Sequence, residues 1–156
     1  MPKYLFVCNQ NLFRSPWAAD WCSEYCRSRG VSAEVRSAGV GEELESHATR
    51  FSRDLLKWAD AIFVMEGYMK TAILEDYCQL GEEEKRIAEE KIVCLDIPDC
   101  FRRKAEENSI SENMTPQEAI AYLNQHPCHI FGPKLFSKAL EGKLEALLEN
   151  RKVYIS

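Results

Sequence analysis

The chain has 156 residues, 46% hydrophobic and 29% charged, a globular balance with enough length for one core-forming domain and little for two. Its formal net charge is −5, which argues against broad binding to nucleic acid or to an anionic membrane surface. Any anion must therefore be held by a local site. No apolar run approaches the roughly 20 residues of a membrane span, and Tyr4–Val7 is too short to be the apolar core of a secretory signal. The cysteines number seven, an odd count. Without a signal segment, reduced thiols in a cytoplasmic protein are expected rather than a disulfide framework.

Four apolar runs predict buried strands: Tyr4–Val7, the weaker alternating Ala33–Ser37, Ala61–Met65 and Lys91–Leu95. Helices are expected between them. The first runs from Pro16 to about Arg29, with Gly30 as its stop signal. Shorter ones cover Ser52–Trp58 and Tyr68–Tyr77, and Glu82–Glu90 reads as a solvated helix. Thr115, Pro116 and Glu118 form a capping box that opens a helix to Gln125. A last helix over Lys134–Glu149 carries Leu135, Ala139, Leu140, Leu144, Leu147 and Leu148 at helical spacing. Strands alternating with helices predict an α/β fold, a three-layer sandwich with a central four-stranded parallel sheet and helices on both faces. Residues 1–156 read as a single domain, in which 102–130 is the least core-like stretch and an expected inserted lid or helical segment.

The stretch VCNQNLFRSPWA, from Val7 to Ala18, carries the chemistry. A bare Cys-x5-Arg is a weak signal, since about half a match is expected by chance in a chain of this composition. Its context is stronger. Cys8 ends an all-apolar strand, Arg14 is followed by Ser15 and Pro16, and a helix begins there. The carboxyl end of a strand meeting a helix N-terminus is where α/β sheets bind ligands. A loop of this length turns successive main-chain N–H groups inward and makes a phosphate-binding nest. Arg14 adds a planar fork for two phosphate oxygens, and the positive surround favours a Cys8 thiolate placed to attack phosphorus. The bland alternative, Cys8 as a small buried hydrophobe and Arg14 as a surface charge, does not account for that context.

These residues resemble the phosphate loop of the low-molecular-weight protein tyrosine phosphatases, V-C-x-x-N-x-C-R-S-P, with Cys8, Asn11, Arg14, Ser15 and Pro16 on family positions. Ser37-Ala38-Gly39, Ser46-His47-Ala48-Thr49-Arg50 and Phe63-Val64-Met65-Glu66 resemble further family stretches. The resemblance implies catalysis by Cys8 as nucleophile, Arg14, Ser15 and an aspartate general acid, without metal or cofactor. It implies that Asn9, Gln10, Asn11, Leu12 and Phe13 bind the phosphoryl group. It also implies that Asn11, Ser37 and His47 hold the loop's shape. Asp99 and Asp96 are the two candidates for the acid; Asp99 is favoured, with Asp96 then a cap or brace for the loop, and Phe101 is expected to stack on the substrate ring. Departures from the pattern are Gln10, Phe13 in place of the loop's second cysteine, and Cys100 after Asp99.

Leu12 stands where a branched aliphatic residue accompanies phosphotyrosine and a threonine accompanies phosphoarginine in the family, so an aryl phosphate is expected. The expected partners are a phosphotyrosine protein or small aryl phosphate, with phosphate, vanadate or sulfate as site ligands, and the expected state is a monomer. His126-Pro127-Cys128-His129 has zinc-ligand residue types without a second ligand pair, and a helix-ending loop is the simpler reading. Two rivals remain. A thiol-dependent arsenate reductase would need a resolving cysteine where Met65 and Glu66 stand. A non-catalytic phosphopeptide-binding module would have the loop without a well-placed acid.

Overall fold

The computed structural model describes residues 1–11, 14–42, 44–77, 79–97, 115–125 and 133–149. The chain falls into two compact units, one over Met1–Asp96 and one over Ile97–Asn150. In the first unit, strands β1 (Lys3–Cys8), β2 (Glu34–Gly39), β3 (Ala61–Val64) and β4 (Ile92–Cys94) form one sheet in the order β2-β1-β3-β4. Every pairing is parallel, with Phe6 beside both Ser37 and Phe63 and Val64 beside Cys94. The expected α/β fold and all four strands are present. Met65 and Leu95 lie just past the strand ends, and their N–H groups still bond to Val7 and Val64 carbonyls at 3.1 and 2.9 Å.

The two central strands show why they read as continuous apolar runs. All side chains from Tyr4 to Cys8 and from Ala61 to Val64 are buried, so both faces of the sheet are covered there. Phe6 stacks on Phe63 with ring centroids 5.0 Å apart. Edge strand β2 alternates in exposure before ending at buried Ala38 and Gly39, as a half-covered edge should.

Helix α1 (Arg14–Ser28) begins two residues earlier than Pro16, where the sequence predicts it. Proline is tolerated at the third helical position because first-turn N–H groups have no intrahelical partner. Arg14 and Ser15 are thereby drawn into the helix's first turn. Its far end closes as a Schellman motif: Val31 N–H bonds to Cys26 C=O at 2.9 Å and Gly30 N–H to Arg27 C=O at 3.1 Å, with Gly30 at φ +67°. Helix α2 (Arg53–Trp58) is capped by Ser52, whose side chain accepts from Leu55 N–H. The single helix predicted over Tyr68–Tyr77 is instead a short α3 (Gly67–Thr71) that widens into a π-helical turn over Ala72–Tyr77. Apolar spacing in so short a segment does not distinguish the two windings. Helix α4 (Glu82–Lys91) carries Glu82, Glu83 and Glu84 in its first turn, where the helix dipole favours them.

Right-handed crossovers set α1 on one face of the sheet and α2, α3 and α4 on the other. Because β1 connects outward to β2 while β3 connects the opposite way to β4, a crevice opens between the carboxyl ends of β1 and β3. This is the switch point at which such sheets bind ligands.

The second unit contains α5 (Pro116–Gln125) and α6 (Pro133–Glu149). The predicted cap is present, with Glu118 N–H donating to Thr115 Oγ1 at 3.2 Å. Ala119, Ala139, Leu140, Leu144 and Leu148 are buried. Gly142 lets the helices approach: a Cβ there would lie 2.9 Å from Ile120 Cδ1 and 3.0 Å from Pro116 Cβ. The segment expected as an insertion, 102–130, contributes α5 from its described part. No helix among the described residues is long and apolar enough to cross a membrane.

Gly39 ends β2 where main chain meets main chain. A Cβ there would sit 2.7 Å from the Asn9 carbonyl oxygen and 3.0 Å from Asn11 N, neither of which can swing aside as a side chain would. Gly39→Ala is expected to cost about 1–3 kcal/mol as overpacking, read as a lower denaturant midpoint at unchanged slope.

Candidate active site

Cys8 is the last residue of β1 and is 3% exposed. Its carbonyl accepts from Val40 N–H at 3.1 Å, and the Asn9 carbonyl accepts from Gly41 N–H at 2.8 Å. The ladder between β1 and β2 thus continues one step into the loop before the chain turns. Asn11 makes that turn at φ +56°, the left-handed region that asparagine enters more readily than most residues. There its N–H donates to Cys8 Sγ at 3.2 Å.

The Asn11 side chain is pinned on three sides. Its Nδ2 donates to Ser15 Oγ and to Ser37 Oγ, each at 2.9 Å, and its Oδ1 accepts from Thr49 N–H at 2.8 Å. Both amide hydrogens are used, and an N–H group can only donate, so the orientation of the amide follows from its partners. Ser15 Oγ lies 3.0 Å from Cys8 Sγ and 3.3 Å from the Ala38 carbonyl oxygen. A thiolate at Cys8 accepts only, so the Ser15 hydroxyl is then the donor.

Arg14 sits in that first turn and is 3% exposed. Its Nη1 donates to Glu66 Oε1 at 2.5 Å across the crevice between β1 and β3. Glu66 stands two residues past the end of β3 and caps α3 by position, without a side-chain cap bond. Parallel strands bring all their carboxyl ends to one edge, which is how residues 14 and 66 meet.

The structure brings Cys8, Asn11, Ser15 and Ser37 together, with Arg14 in the adjoining turn. Asn9 is half-buried and Gln10 exposed. Leu12, Phe13, Asp99 and Phe101 lie outside the described residues, as does the stretch 126–132 with its histidines. Asp96, at φ +53°, accepts from Cys94 Sγ through its Oδ1 at 3.3 Å. His47 does not hold the loop. Its side chain is 68% exposed, with Nδ1 3.6 Å from a Glu45 carboxylate oxygen, because the turn over residues 45–48 faces solvent. The loop bond expected of it is made by the main chain of Thr49. Residue types gave no sign of that contact. Glu66 was legible only through topology, as a charged residue just beyond a strand parallel to β1. Among the described residues no group of three or more His, Cys, Asp or Glu side chains is placed to hold a metal ion.

Residues 3–80, half of the chain, match the family described as low molecular weight phosphotyrosine protein phosphatase. A comparison with curated proteins gives no match. Among solved structures, the low-molecular-weight protein tyrosine phosphatase of T. tengcongensis superposes with a TM-score of 0.62 at 19% identity, over 96% of this chain and 99% of that one. Vibrio vulnificus Wzb in complex with benzylphosphonate gives 0.57 at 16%, over 96% and 98%. The YwlE arginine phosphatase with a phosphorylated active-site serine gives 0.54 at 16%, over 97% and 99%; a YwlE mutant from Bacillus subtilis gives 0.55 at 17%, over 96% and 99%. At these identities the structures bear on fold alone, and their agreement with the parallel sheet adds to the match over the strand, loop and helix that build the site: the chain belongs to the low-molecular-weight phosphotyrosine protein phosphatase family and is a phosphatase.

Proposed function

We propose that the protein hydrolyses aryl phosphates, phosphotyrosine in proteins foremost, through a phosphocysteine at Cys8. The observation that carries this reading is the Cys8 sulfur, buried at the end of β1 and hydrogen-bonded by both Asn11 N–H and Ser15 Oγ. A main-chain donor and a hydroxyl converging on one buried sulfur suit a nucleophile that reacts as a thiolate.

Cys8 Sγ attacks phosphorus as the bond to the phenolic oxygen breaks, and Asp99 gives that oxygen its proton. Loop N–H groups and the Arg14 fork hold the equatorial oxygens, whose charge they meet in the transition state. Water then attacks the phosphocysteine, Asp99 takes its proton, and the sulfur leaves as a thiolate that Ser15 stabilises. Glu66 fixes the plane of the Arg14 guanidinium before substrate arrives. Leu12 and Phe101 favour a flat aromatic leaving group. The net charge of −5 accords with recognition by this local site rather than by a general basic surface.

Turnover of an aryl phosphate under reducing conditions tests the reading. Cys8→Ser is expected to abolish it, and Asp99→Ala to lower kcat by about 10²–10⁴-fold, the range for loss of a general acid. Absence of wild-type turnover with vanadate still bound would instead indicate a phosphate-binding module.

Glu66→Gln keeps the shape of the side chain and removes its charge. Steady-state kinetics on the same substrate are expected to show kcat/KM down about tenfold, or ~1.4 kcal/mol of lost transition-state stabilisation.

A further inference from the structure

Residues Thr49–Phe51 do more for the phosphate loop than their place at the sheet's edge requires. Their main chain laps onto the end of β2: Gly39 N–H donates to Thr49 C=O and Phe51 N–H to Gly39 C=O, both at 2.9 Å, as a parallel bridge between Gly39 and Arg50. The Arg50 guanidinium reaches back, with Nη1 3.0 Å from the Gly41 carbonyl oxygen and Nη2 2.9 Å from that of Glu42. Gly41 is itself bonded to Asn9. Phe51, 1% exposed, anchors the segment in the core. Three consecutive residues therefore hold the loop through Gly39, Gly41 and the Asn11 side chain.

The bond to Asn11 has a chemical direction. With Oδ1 facing Thr49 N–H, the amide turns its NH₂ group toward Ser15 Oγ. Ser15 then accepts from Asn11, and its single hydroxyl proton is left for Cys8 Sγ or the Ala38 carbonyl. Were the amide reversed, its oxygen would face Ser15 and compete for that proton. We propose that Thr49–Phe51 is a positioning element in which the Thr49 main-chain N–H, acting through Asn11, keeps the Ser15 hydroxyl proton available to the Cys8 sulfur. The role expected of the His47 side chain is filled by a main-chain group that does not titrate in the physiological range. The inference deepens the phosphatase reading and rests on Cys8 being its nucleophile.

The test is the pH dependence of Cys8 alkylation by iodoacetamide, followed by mass spectrometry on the Cys8 peptide, with kcat and KM measured on an aryl phosphate. Thr49→Pro removes the N–H; Thr49→Ala retains it. The expected result for Thr49→Pro is an alkylation midpoint raised by about one pH unit, with kcat down about tenfold and KM within about threefold, as loss of one hydrogen bond to a thiolate implies. Thr49→Ala should keep the wild-type midpoint. A folded Thr49→Pro protein with an unchanged midpoint overturns the proposal. If circular dichroism shows that the proline variant does not fold, Arg50→Ala decides. It should raise the midpoint by a smaller amount, with Arg50→Lys recovering part of the shift, and no shift in Arg50→Ala overturns the proposal. A wild-type midpoint near the ordinary thiol value of about 8.5 would instead sink the nucleophile reading, and this inference with it.

Discussion

Asn11, held at φ +56°, is the constraint on which the site depends. Its N–H reaches the Cys8 sulfur only because the chain turns left-handed there, and its side chain is the common partner of Ser15, Ser37 and Thr49. A backbone in that region is costly for most residues and persists where its surroundings over-determine it. Three hydrogen bonds and the close approach of Gly39 to Asn9 and Asn11 provide that over-determination. The loop's shape is thus a property of β2 and the Thr49–Phe51 segment as much as of the loop itself.

Charge is arranged by the same topology. A guanidinium as buried as Arg14 needs an anionic partner, since an unpaired buried charge is strongly unfavourable. Glu66 supplies it from the far side of the switch-point crevice, leaving the resting site locally balanced within a chain of net charge −5. In the proposed reaction, an incoming phosphoryl dianion meets a guanidinium already oriented, in a setting where reorganisation is small and electrostatic stabilisation correspondingly large.

The sequence made some of this legible and concealed the rest for physical reasons. Strands β1 and β3 were readable because covering both faces demands unbroken apolar runs, and the parallel α/β class followed from the alternation of strands with helices. Cys8, Arg14 and Ser15 were readable because a thiol and a guanidinium at a strand-to-helix turn have few other uses. The start of α1 was misjudged because Pro16 marks a first turn without specifying which position in it. His47 was misjudged because a motif gives neighbours along the chain and not the direction a side chain takes; residues 45–48 turn to solvent and carry the imidazole with them. Thr49 was invisible because its contribution is an N–H that every residue but proline possesses. Glu66 needed the parallel register of β1 and β3 before its position beside Arg14 had meaning.

The depth of Cys8 also bears on oxidative chemistry. At 3% exposure the sulfur is shielded from bulky thiols and protein disulfides, whereas a peroxide is small enough to follow the route a phosphoryl group takes. Between Cys8 and Ser15 the chain offers no second cysteine, with Phe13 at the position where one could have stood. A sulfenic acid formed on Cys8 would have no loop thiol to condense with, and the crowding of Asn11 and Ser15 around it would slow its passage to the irreversible sulfinic state.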